Sequence, residues 1–312
     1  MRVLVTGGAG FIGSHLVERL VQDPARTGKV RVVDNLSTGS LENLRPCLER
    51  VEFRQGDLLD AEVREWAVRD IDVILHQAAI PSVPRSMEQP LESHRNGAQA
   101  TLLLLDSARR HGVQRLVYAG SSSAYGDSEV LPKVETMAPL PRSPYAASKL
   151  AGELYAAAFT RCFGLDTVTL RYFNVFGPRQ DPASMYSGVV ARFCLAFRRN
   201  EALAIHGDGE QSRDFTYIEN VVEANLLAAR APGPLQGQVI NVACGERHTL
   251  NALVQALNEL TGQRRAPQYG PARPGDVRHS LADISRARAI LKYEPRVDFK
   301  SGLARTLAWY SA

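Results

Sequence analysis

The chain has 312 residues, of which 45% are hydrophobic and 22% charged, with a formal net charge of +4 and four widely spaced cysteines. This length supports one large or two modest domains, and the small charge, without a basic run interleaved with aromatics, excludes a nucleic-acid-binding protein. Because there is no CxxC pair, no ~20-residue apolar run and no signal peptide, we expect neither a zinc site, a disulfide framework nor a membrane span, but a cytoplasmic protein with free thiols.

Short apolar runs alternate with longer amphipathic segments through the first half of the chain. Strands are predicted at residues 3–6, 30–34, 51–55, 73–76, 115–119 and 167–172, with helices between them at about residues 11–22, 60–69, 93–111 and 145–163. This alternation is typical of a doubly wound parallel sheet, and near-continuous apolar strands suit a sheet that is covered on both faces. The predicted fold class is therefore α/β, of the Rossmann type.

The alternation changes after Asn174, where a loop with two prolines follows. Further helices are predicted at about residues 186–199, 218–231, 249–262 and 302–310, with one more buried strand at residues 239–242. We therefore expect a dinucleotide-binding domain at residues 1–174, to which residues 215–245 return. Residues 175–214 and 246–312 are predicted to form a smaller substrate lobe.

A glycine-rich turn follows the first predicted strand and opens the first predicted helix. Gly7, Gly10 and Gly13 give a GxxGxxG spacing, which allows a tight turn, a close backbone approach to pyrophosphate and close packing of helix on strand. The helix N-terminus then presents N–H groups to the phosphates. This pattern predicts a dinucleotide site rather than a plain turn.

Two aspartates follow the next two predicted strands. Asp34 lies 21 residues after Gly13, where an acid accepts hydrogen bonds from the ribose hydroxyls and repels a 2′-phosphate. This position favours NAD over NADP. Asp57 is predicted either to reach the adenine or to cap the helix that follows, and the sequence leaves both roles open.

Tyr145 and Lys149 lie about one helical turn apart, so both side chains emerge on one face of the predicted helix. An ammonium there would favour the phenolate, lower the pKa of the tyrosine and make it a usable general base. The serine-rich turn Ser121, Ser122 and Ser123 follows the fifth strand, where hydroxyls can donate to a substrate oxygen or merely cap a polar loop.

Two other catalytic chemistries find no support in the sequence. No GxSxG elbow of a serine hydrolase is present. The seven histidines show no metal-ligand spacing, and we predict no metal site. His76 lies within a buried strand and is expected to be a core residue rather than a ligand.

Together, the glycine spacing, the serine-rich turn and the Tyr145/Lys149 pair resemble the extended short-chain dehydrogenase/reductase superfamily over essentially the whole chain. Residues 170–178 (LRYFNVFGP), 206–209 (HGDG) and 212–215 (SRDF) resemble its nucleotide-sugar branch. Residues 273–280 (RPGDVRHS) complete a resemblance to UDP-hexose 4-epimerases. Residues 82–86 (SVPRS) and 179–182 (RQDP) are most similar to those that act on N-acetylated UDP-sugars.

The resemblance implies roles for the matching residues. Ser121 would be the catalytic hydroxyl, Tyr145 the base, and Lys149 the ribose-binding partner that lowers its pKa. The remaining cofactor residues would be Gly7, Gly10, Phe11, Ile12, Gly13, Asp34, Asn35, Asp57, Leu58, Ala78 and Ala79, with Asn96 and Phe173 at the nicotinamide.

Substrate roles follow from the same resemblance. The diphosphate would be held by Asn174 and Arg213, and the uracil surrounded by Val189, Ala204, Ile205, His206 and Phe215. Arg273 and Asp276 would bind the phosphate and the uridine ribose, and the sugar pocket would include Ser82, Ser122 and Ser123. The sequence alone leaves Arg213 and Asp214, like Arg273 and Asp276, open to a second interpretation as surface ion pairs.

Ser280 matches the family position that abuts the C2 substituent of the sugar, and its small side chain would admit an N-acetyl group. The chain is therefore predicted to be an NAD-dependent UDP-sugar 4-epimerase that accepts UDP-N-acetylglucosamine and UDP-N-acetylgalactosamine, and that could still turn over UDP-glucose and UDP-galactose. The resemblance also implies a homodimer that associates through the helices at residues 93–111 and 145–163.

Two alternatives remain at this stage. A UDP-glucuronate 4-epimerase would need only a different pocket around C5, whereas dehydratases and decarboxylases of the superfamily need an acid where Ser122 and Ser123 stand. A non-catalytic NAD-binding regulator on the same fold is the alternative from another class, although such proteins usually lose the Tyr or the Lys.

Overall fold

The computed structural model describes residues 1–181, 188–272 and 277–311. Its strands are β1 Val3–Thr6, β2 Val30–Asp34, β3 Glu52–Gln55, β4 Val73–His76, β5 Arg115–Ser121, β6 Asp166–Tyr172, β7 Val175–Phe176, β8 Ala204–His206, β9 Ser212–Arg213, β10 Thr216–Tyr217, β11 Gln238–Val242, β12 His248–Thr249 and β13 Gln268–Gly270. Its helices are α1 Phe11–Val21, α2 Ala61–Val68, α3 Val83–Glu88, α4 Pro90–His94, α5 Ala100–Arg110, α6 Pro144–Phe163, α7 Val189–Arg199, α8 Ile218–Arg230, α9 Leu250–Thr261, α10 Ser285–Leu291 and α11 Phe299–Ser311.

The main sheet has seven parallel strands in the order β11-β6-β5-β4-β1-β2-β3. The strand order reverses between β1 and β4, which is the switch point at which ligands bind in open α/β sheets. The predicted α/β fold class is confirmed. The strands predicted at residues 3–6, 30–34 and 73–76 have the bounds of β1, β2 and β4.

Apolar side chains cover the sheet on both faces. On one face, α1 and α8 pack in a large core that includes Leu16, Val17 and Val221. On the other, α2, α5 and α6 pack in a second core that includes Leu104 and Ala156. Two-sided burial explains why the central strands are apolar along their whole length rather than alternating.

Helix α6 begins and ends at residues with clear capping roles. Ser143 accepts a hydrogen bond from the N–H of Ala146 at 3.1 Å, and Pro144 occupies the first turn, where its missing N–H costs nothing. The helix stops at Gly164, whose φ of 74° is the left-handed conformation that favours glycine. These signals fix where Tyr145 and Lys149 lie along the helix.

The helix predicted at residues 93–111 is wrong in one respect, because the structure divides this segment. A π-helical turn at Arg95–Gln99 separates α4 from α5. Gly97 lies in that turn, against α6, and a Cβ there would come within 2.6 Å of the Ser148 hydroxyl. Within the ranges that the structure describes, no helix combines the length and the apolar character needed to cross a bilayer.

Candidate active site

A cavity of about 1300 Å³ runs along the carboxyl ends of the central strands. It extends from the glycine-rich turn after β1, past the serine turn after β5 and the first turns of α6, to Ser280. Ligand sites typically occupy about 300–1,000 Å³, so this cavity has room for a dinucleotide and a second ligand together.

The glycine-rich turn is shaped for a close backbone approach. Gly7 has a φ of +66°, and a Cβ there would lie 2.7 Å from the backbone nitrogen of Ala78. A Cβ on Gly13 would lie only 2.1 Å from the carbonyl oxygen of Gly7. Because Gly10, Phe11 and Ile12 line the cavity with Gly13, the N–H end of α1 is directed at a ligand there.

Asp34 is held in one position at the edge of the cavity. It is 7% exposed, and its carboxylate accepts hydrogen bonds from the N–H groups of Ala9 at 2.9 Å and Leu36 at 2.8 Å. Burial raises the pKa of Asp34, and these N–H groups act against the increase. Each oxygen keeps a lone pair for a ribose hydroxyl.

The structure separates the two roles considered for Asp57, which are contact with the adenine and capping of the helix that follows. The N-cap of α2 is Asp60, whose carboxylate accepts from Glu62, so the capping role predicted for Asp57 is wrong. Asp57 instead lines the cavity and accepts a hydrogen bond from the side chain of Asn35 at 3.1 Å. The other predicted cofactor residues that line the same cavity are Leu58, Ala78, Ala79, Asn96 and Phe173.

The serine turn and α6 bring together the predicted catalytic residues. The Ser121 hydroxyl acts to lower the pKa of Tyr145, and both residues line the cavity. Ser123 donates its hydroxyl to Ser121 Oγ at 2.8 Å, and its backbone N–H points to the same atom at 3.2 Å. Because Ser121 Oγ accepts from Ser123, its own proton is directed towards Tyr145 or a substrate oxygen. The sequence could not choose among the three serines, whereas the geometry favours Ser121.

Lys149 is almost completely buried beside Tyr145. Its Nζ donates to the Ala119 carbonyl at 2.9 Å and lies 5.2 Å from the ring centre of Tyr118. Burial lowers the pKa of Lys149 to about 8. The Lys149 ammonium therefore lies inside the candidate active site. Its hydrogen bond to Ala119 offsets the cost of burying the charge only in part.

The pKa of Tyr145 departs from its expected direction. Burial raises it above the ordinary value near 10, and the Ser121 hydroxyl acts against that increase. The net direction is therefore opposite to the expected one, because burial outweighs the groups that favour the phenolate. The residue spacing correctly predicts one helix face, but it carries no information on how deeply that face is buried.

The predicted substrate residues fall into three groups. Ser82, Ser122, Ser123, Asn174, Arg213 and Ser280 line the main cavity, and Asn174 donates to the Ser280 hydroxyl at 3.4 Å. A neighbouring cavity of about 200 Å³ is lined by Val189, Ala204, His206 and Phe215. Arg273 and Asp276 lie outside the described residues.

Ile205 is a correction to the predicted uracil pocket. Its side chain is 1% exposed and packs in the core, while Ala204 and His206 on either side line the small cavity. Side chains alternate along a strand, so β8 can present only every second one to the ligand. The side chain of Ile205 is therefore turned away from the small cavity.

Asp214 does not form the surface ion pair considered for it and Arg213, both of which belong to the described part of the chain. Its carboxylate is fully buried and accepts from the backbone N–H groups of Cys244, Gly245 and Ala282. Burial raises its pKa to about 6. Arg213 Nη1 donates to the carbonyls of Ser212 and Arg278.

One further prediction, for His76, agrees with the structure, and two cavity-lining residues were not predicted. His76 is a core residue, as predicted, with hydrogen bonds to Thr6 and Thr101. Lys133 and Trp309 also line the main cavity. They stand outside every motif, so no spacing in the sequence identifies them. Among the residues described, no group of three or more His, Cys, Asp and Glu side chains could hold a metal ion.

Comparison with known proteins places this geometry in context. The model of the NAD dependent epimerase/dehydratase family matches residues 3–243. The UDP-N-acetylglucosamine 4-epimerase of Methanobrevibacter ruminantium, solved with UDP-N-acetylmuramic acid, is 41% identical with a TM-score of 0.93, over 99% of this chain and 97% of that one. The UDP-glucose 4-epimerase of Thermus thermophilus, solved with NAD, is 38% identical with a TM-score of 0.90, over 99% of both chains.

A third neighbour acts on a charged sugar. The UDP-glucuronic acid 4-epimerase of Bacillus cereus, solved with UDP-glucuronic acid and NAD, is 30% identical with a TM-score of 0.92, over 99% of both chains. Among these three solved relatives the sugar varies, whereas the fold is shared across nearly the whole chain.

Proposed function

The chain belongs to the NAD dependent epimerase/dehydratase family, and we propose that it interconverts UDP-N-acetylglucosamine and UDP-N-acetylgalactosamine by inverting C4 of the sugar. It is an enzyme, an NAD-dependent UDP-sugar 4-epimerase. The choice of an N-acetylated sugar is the proposal. The single observation that carries it is the small, cavity-lining side chain of Ser280.

The residues of the site fit NAD. Gly7 and Gly13 form a glycine cradle in which the backbone packs so closely that a Cβ at either position would clash with neighbouring backbone, and the N-terminus of α1 opens into the cavity. Asp34 supplies a carboxylate for the ribose and would repel a 2′-phosphate. When bound, NAD supplies a reversible hydride acceptor and a positive charge in the site.

In the proposed mechanism, one proton moves from the sugar to Tyr145 during oxidation and returns to the sugar during reduction. Tyr145, as phenolate, accepts the proton of the sugar 4-hydroxyl while C4 is oxidised, and later returns that proton to O4 on the inverted carbon. Ser121 donates its one hydroxyl hydrogen to the phenolate or to the same substrate oxygen. Lys149 holds its ammonium behind the tyrosine against Ala119. The 4-keto sugar turns over within the cavity before reduction.

Burial of Tyr145 makes the phenolate costly, so its formation depends on nearby positive charge. The Lys149 ammonium and the cationic nicotinamide of NAD would both favour the ionised form. General acid–base catalysis of this kind typically contributes ~10²–10⁴-fold.

Part of the positive charge around the cavity is already paired with carboxylates. Three arginines that line the cavity already face carboxylates: Arg85 pairs with Glu92, Arg142 with Asp127, and Arg179 with Glu18. Using any of them for a C6 carboxylate would require the existing pair to break. A C6 carboxylate would therefore have to use another cation of the cavity lining, such as Lys133.

The test is turnover of single substrates. The protein is incubated separately with UDP-N-acetylglucosamine, UDP-glucose and UDP-glucuronate, and the products are analysed by NMR. We expect UDP-N-acetylgalactosamine from the first incubation and at most slower turnover of the other two. Inversion of UDP-glucuronate alone would refute the proposed substrate.

We further propose that the protein is a cytoplasmic homodimer, with residues 175–214 and 246–312 forming the UDP-sugar lobe. The outer face of α6 exposes Leu154 by 59% and Tyr155 by 39%, and Leu91 of α4 is 79% exposed. Covering such apolar side chains would stabilise an association through these helices. Light scattering at micromolar concentration should give twice the chain mass, and a monomer would contradict the proposal.

A further inference from the structure

Lys133 is a lysine built into the wall of the main cavity. It is 3% exposed and lines the cavity. Its backbone N–H donates to the Leu281 carbonyl at 2.8 Å, and its carbonyl accepts from Asp283 at 2.9 Å. These bonds form a parallel bridge between Lys133 and Ala282. Lys133 is thereby fixed to the segment that carries Ser280.

The parallel bridge sets the direction of the lysine side chain. Paired residues in neighbouring strands project to the same face, so the side chain of Lys133 projects on the same side as that of Ala282. Ser280 lies two residues before Ala282, and both Lys133 and Ser280 line the cavity.

The Lys133 ammonium has more N–H donors than the hydrogen bonds it makes within the protein. Its Nζ donates to the carbonyl of Ser128, and a lysine carries three such N–H donors. Among the residues described, no carboxylate lies within ion-pair distance of it, and the nearby Asp127 pairs with Arg142 at 2.7 Å. Burial lowers the pKa of Lys133, and Asp127 acts against that decrease. A buried cation needs strong acceptors.

We propose that Lys133 is a specificity-determining residue that donates a hydrogen bond to the carbonyl oxygen of the 2-acetamido group of the substrate. This inference rests on the proposed function, in which Ser280 faces C2 of an N-acetylated sugar. In a pyranose ring C2 and C5 lie opposite each other, so a residue beside Ser280 meets the C2 edge and not the C6 substituent. An amide carbonyl is a stronger acceptor than the hydroxyl it replaces in UDP-glucose.

The experiment compares two substrates in the same preparation. Lys133→Met removes the charge and keeps most of the length of the side chain, and Lys133→Gln retains a neutral donor. Lys300→Met is the matched control, because Lys300 is 61% exposed and pairs with Glu259 on the surface. Values of kcat/KM are measured for UDP-N-acetylglucosamine and UDP-glucose, with dissociation constants for UDP alone. The ratio of the two kcat/KM values is independent of the folded fraction.

A hydrogen bond to a charged donor predicts a large and selective loss. For Lys133→Met we expect kcat/KM on UDP-N-acetylglucosamine to fall about 10-fold to 100-fold. The value on UDP-glucose should fall less than about threefold, UDP binding should be unchanged, and Lys133→Gln should lie in between. Lys300→Met should match the wild type on both substrates.

Other results overturn the inference in distinguishable ways. Equal losses on both substrates, or weaker binding of UDP alone, would show that Lys133 only supports the fold. An unchanged ratio with full activity would show that it does not contact the sugar. If the wild type itself does not turn over UDP-N-acetylglucosamine, the proposed function fails before any variant is considered.

Discussion

The buried ion pair between Glu153 and Arg171 should be essential to the stability of the catalytic helix. Arg171 of β6 donates to both oxygens of Glu153 in α6, at 2.9 and 2.6 Å, and the side chains of Arg171 and Glu153 are only 3% and 7% exposed. The guanidinium also lies 4.6 Å from the ring centre of Tyr125, four residues after Ser121. Replacing Glu153 with Gln removes the negative charge and leaves the volume almost unchanged.

The expected cost follows from these contacts. Each charge-assisted hydrogen bond contributes about 1.5–3 kcal/mol, and breaking a buried pair by removing one partner typically costs about 3–5 kcal/mol. Arg171 Nη1 is already buried without a hydrogen bond, so loss of the Glu153 carboxylate would leave more of the guanidinium unpaired. We therefore expect Glu153→Gln to lower the free energy of unfolding by about 3–5 kcal/mol. Activity should fall as well, because Glu153 lies one turn after Lys149.

Urea denaturation is the assay, read as a shift of the midpoint at constant slope. Glu259→Gln is the control, since Glu259 pairs with Lys300 on the surface with side-chain exposures of 48% and 61%, and such pairs contribute less than about 1 kcal/mol. The double variant Glu153→Leu with Arg171→Met should recover much of the loss, because an apolar pair leaves no unpaired charge. A cost for Glu153→Gln no larger than that of the control would refute this reasoning.

Three further predictions concern the site. Tyr145→Phe should keep the fold and bound NAD but lower kcat by ~10²–10⁴-fold, because it removes the proton acceptor; near-native turnover in a steady-state assay would contradict the mechanism. Asp34→Ala should weaken NAD retention and narrow the difference in affinity between NAD and NADP, measured by titration, and equal affinities in the native protein would show the cofactor assignment to be wrong. Ser280→Tyr should lower kcat/KM steeply on UDP-N-acetylglucosamine and spare UDP-glucose, because a packed site cannot absorb a ring; an unchanged ratio would mean that Ser280 does not face C2.

The central sheet could be predicted from the sequence because its signals are local. The strands β1, β2 and β4 are apolar runs bounded by turn residues, and the Ser143-Pro144 and Gly164 signals mark both ends of α6. The two-residue strands, such as β7 and β9, are too short to show any period. The π-helical turn depends on the packing of Gly97 against Ser148, which lies 51 residues further along the chain.

The sequence could predict which residues line the candidate active site, but it could not predict the pKa values of those residues. The family resemblance implied Ser121, Tyr145 and Lys149, and all three line one cavity, at the end of β5 and in the first turns of α6. The direction of the Tyr145 pKa depends on burial by distant segments, which no spacing records. Lys133 was missed for a related reason, because a lone lysine in a loop gives no sign that its ammonium will be enclosed.

At position 149, the residue that would give the highest stability differs from the lysine that the proposed mechanism needs. Burial lowers its pKa to about 8, below the ~10.4 of an unfolded chain. Between these values the unfolded state binds more protons, so this lysine makes the protein gain stability as the pH rises, and at neutral pH its charge favours unfolding. If only folding stability were under selection, an apolar side chain would be favoured at position 149. A lineage released from the need for catalysis should therefore lose this lysine early, while the glycine cradle and the sheet remain intact.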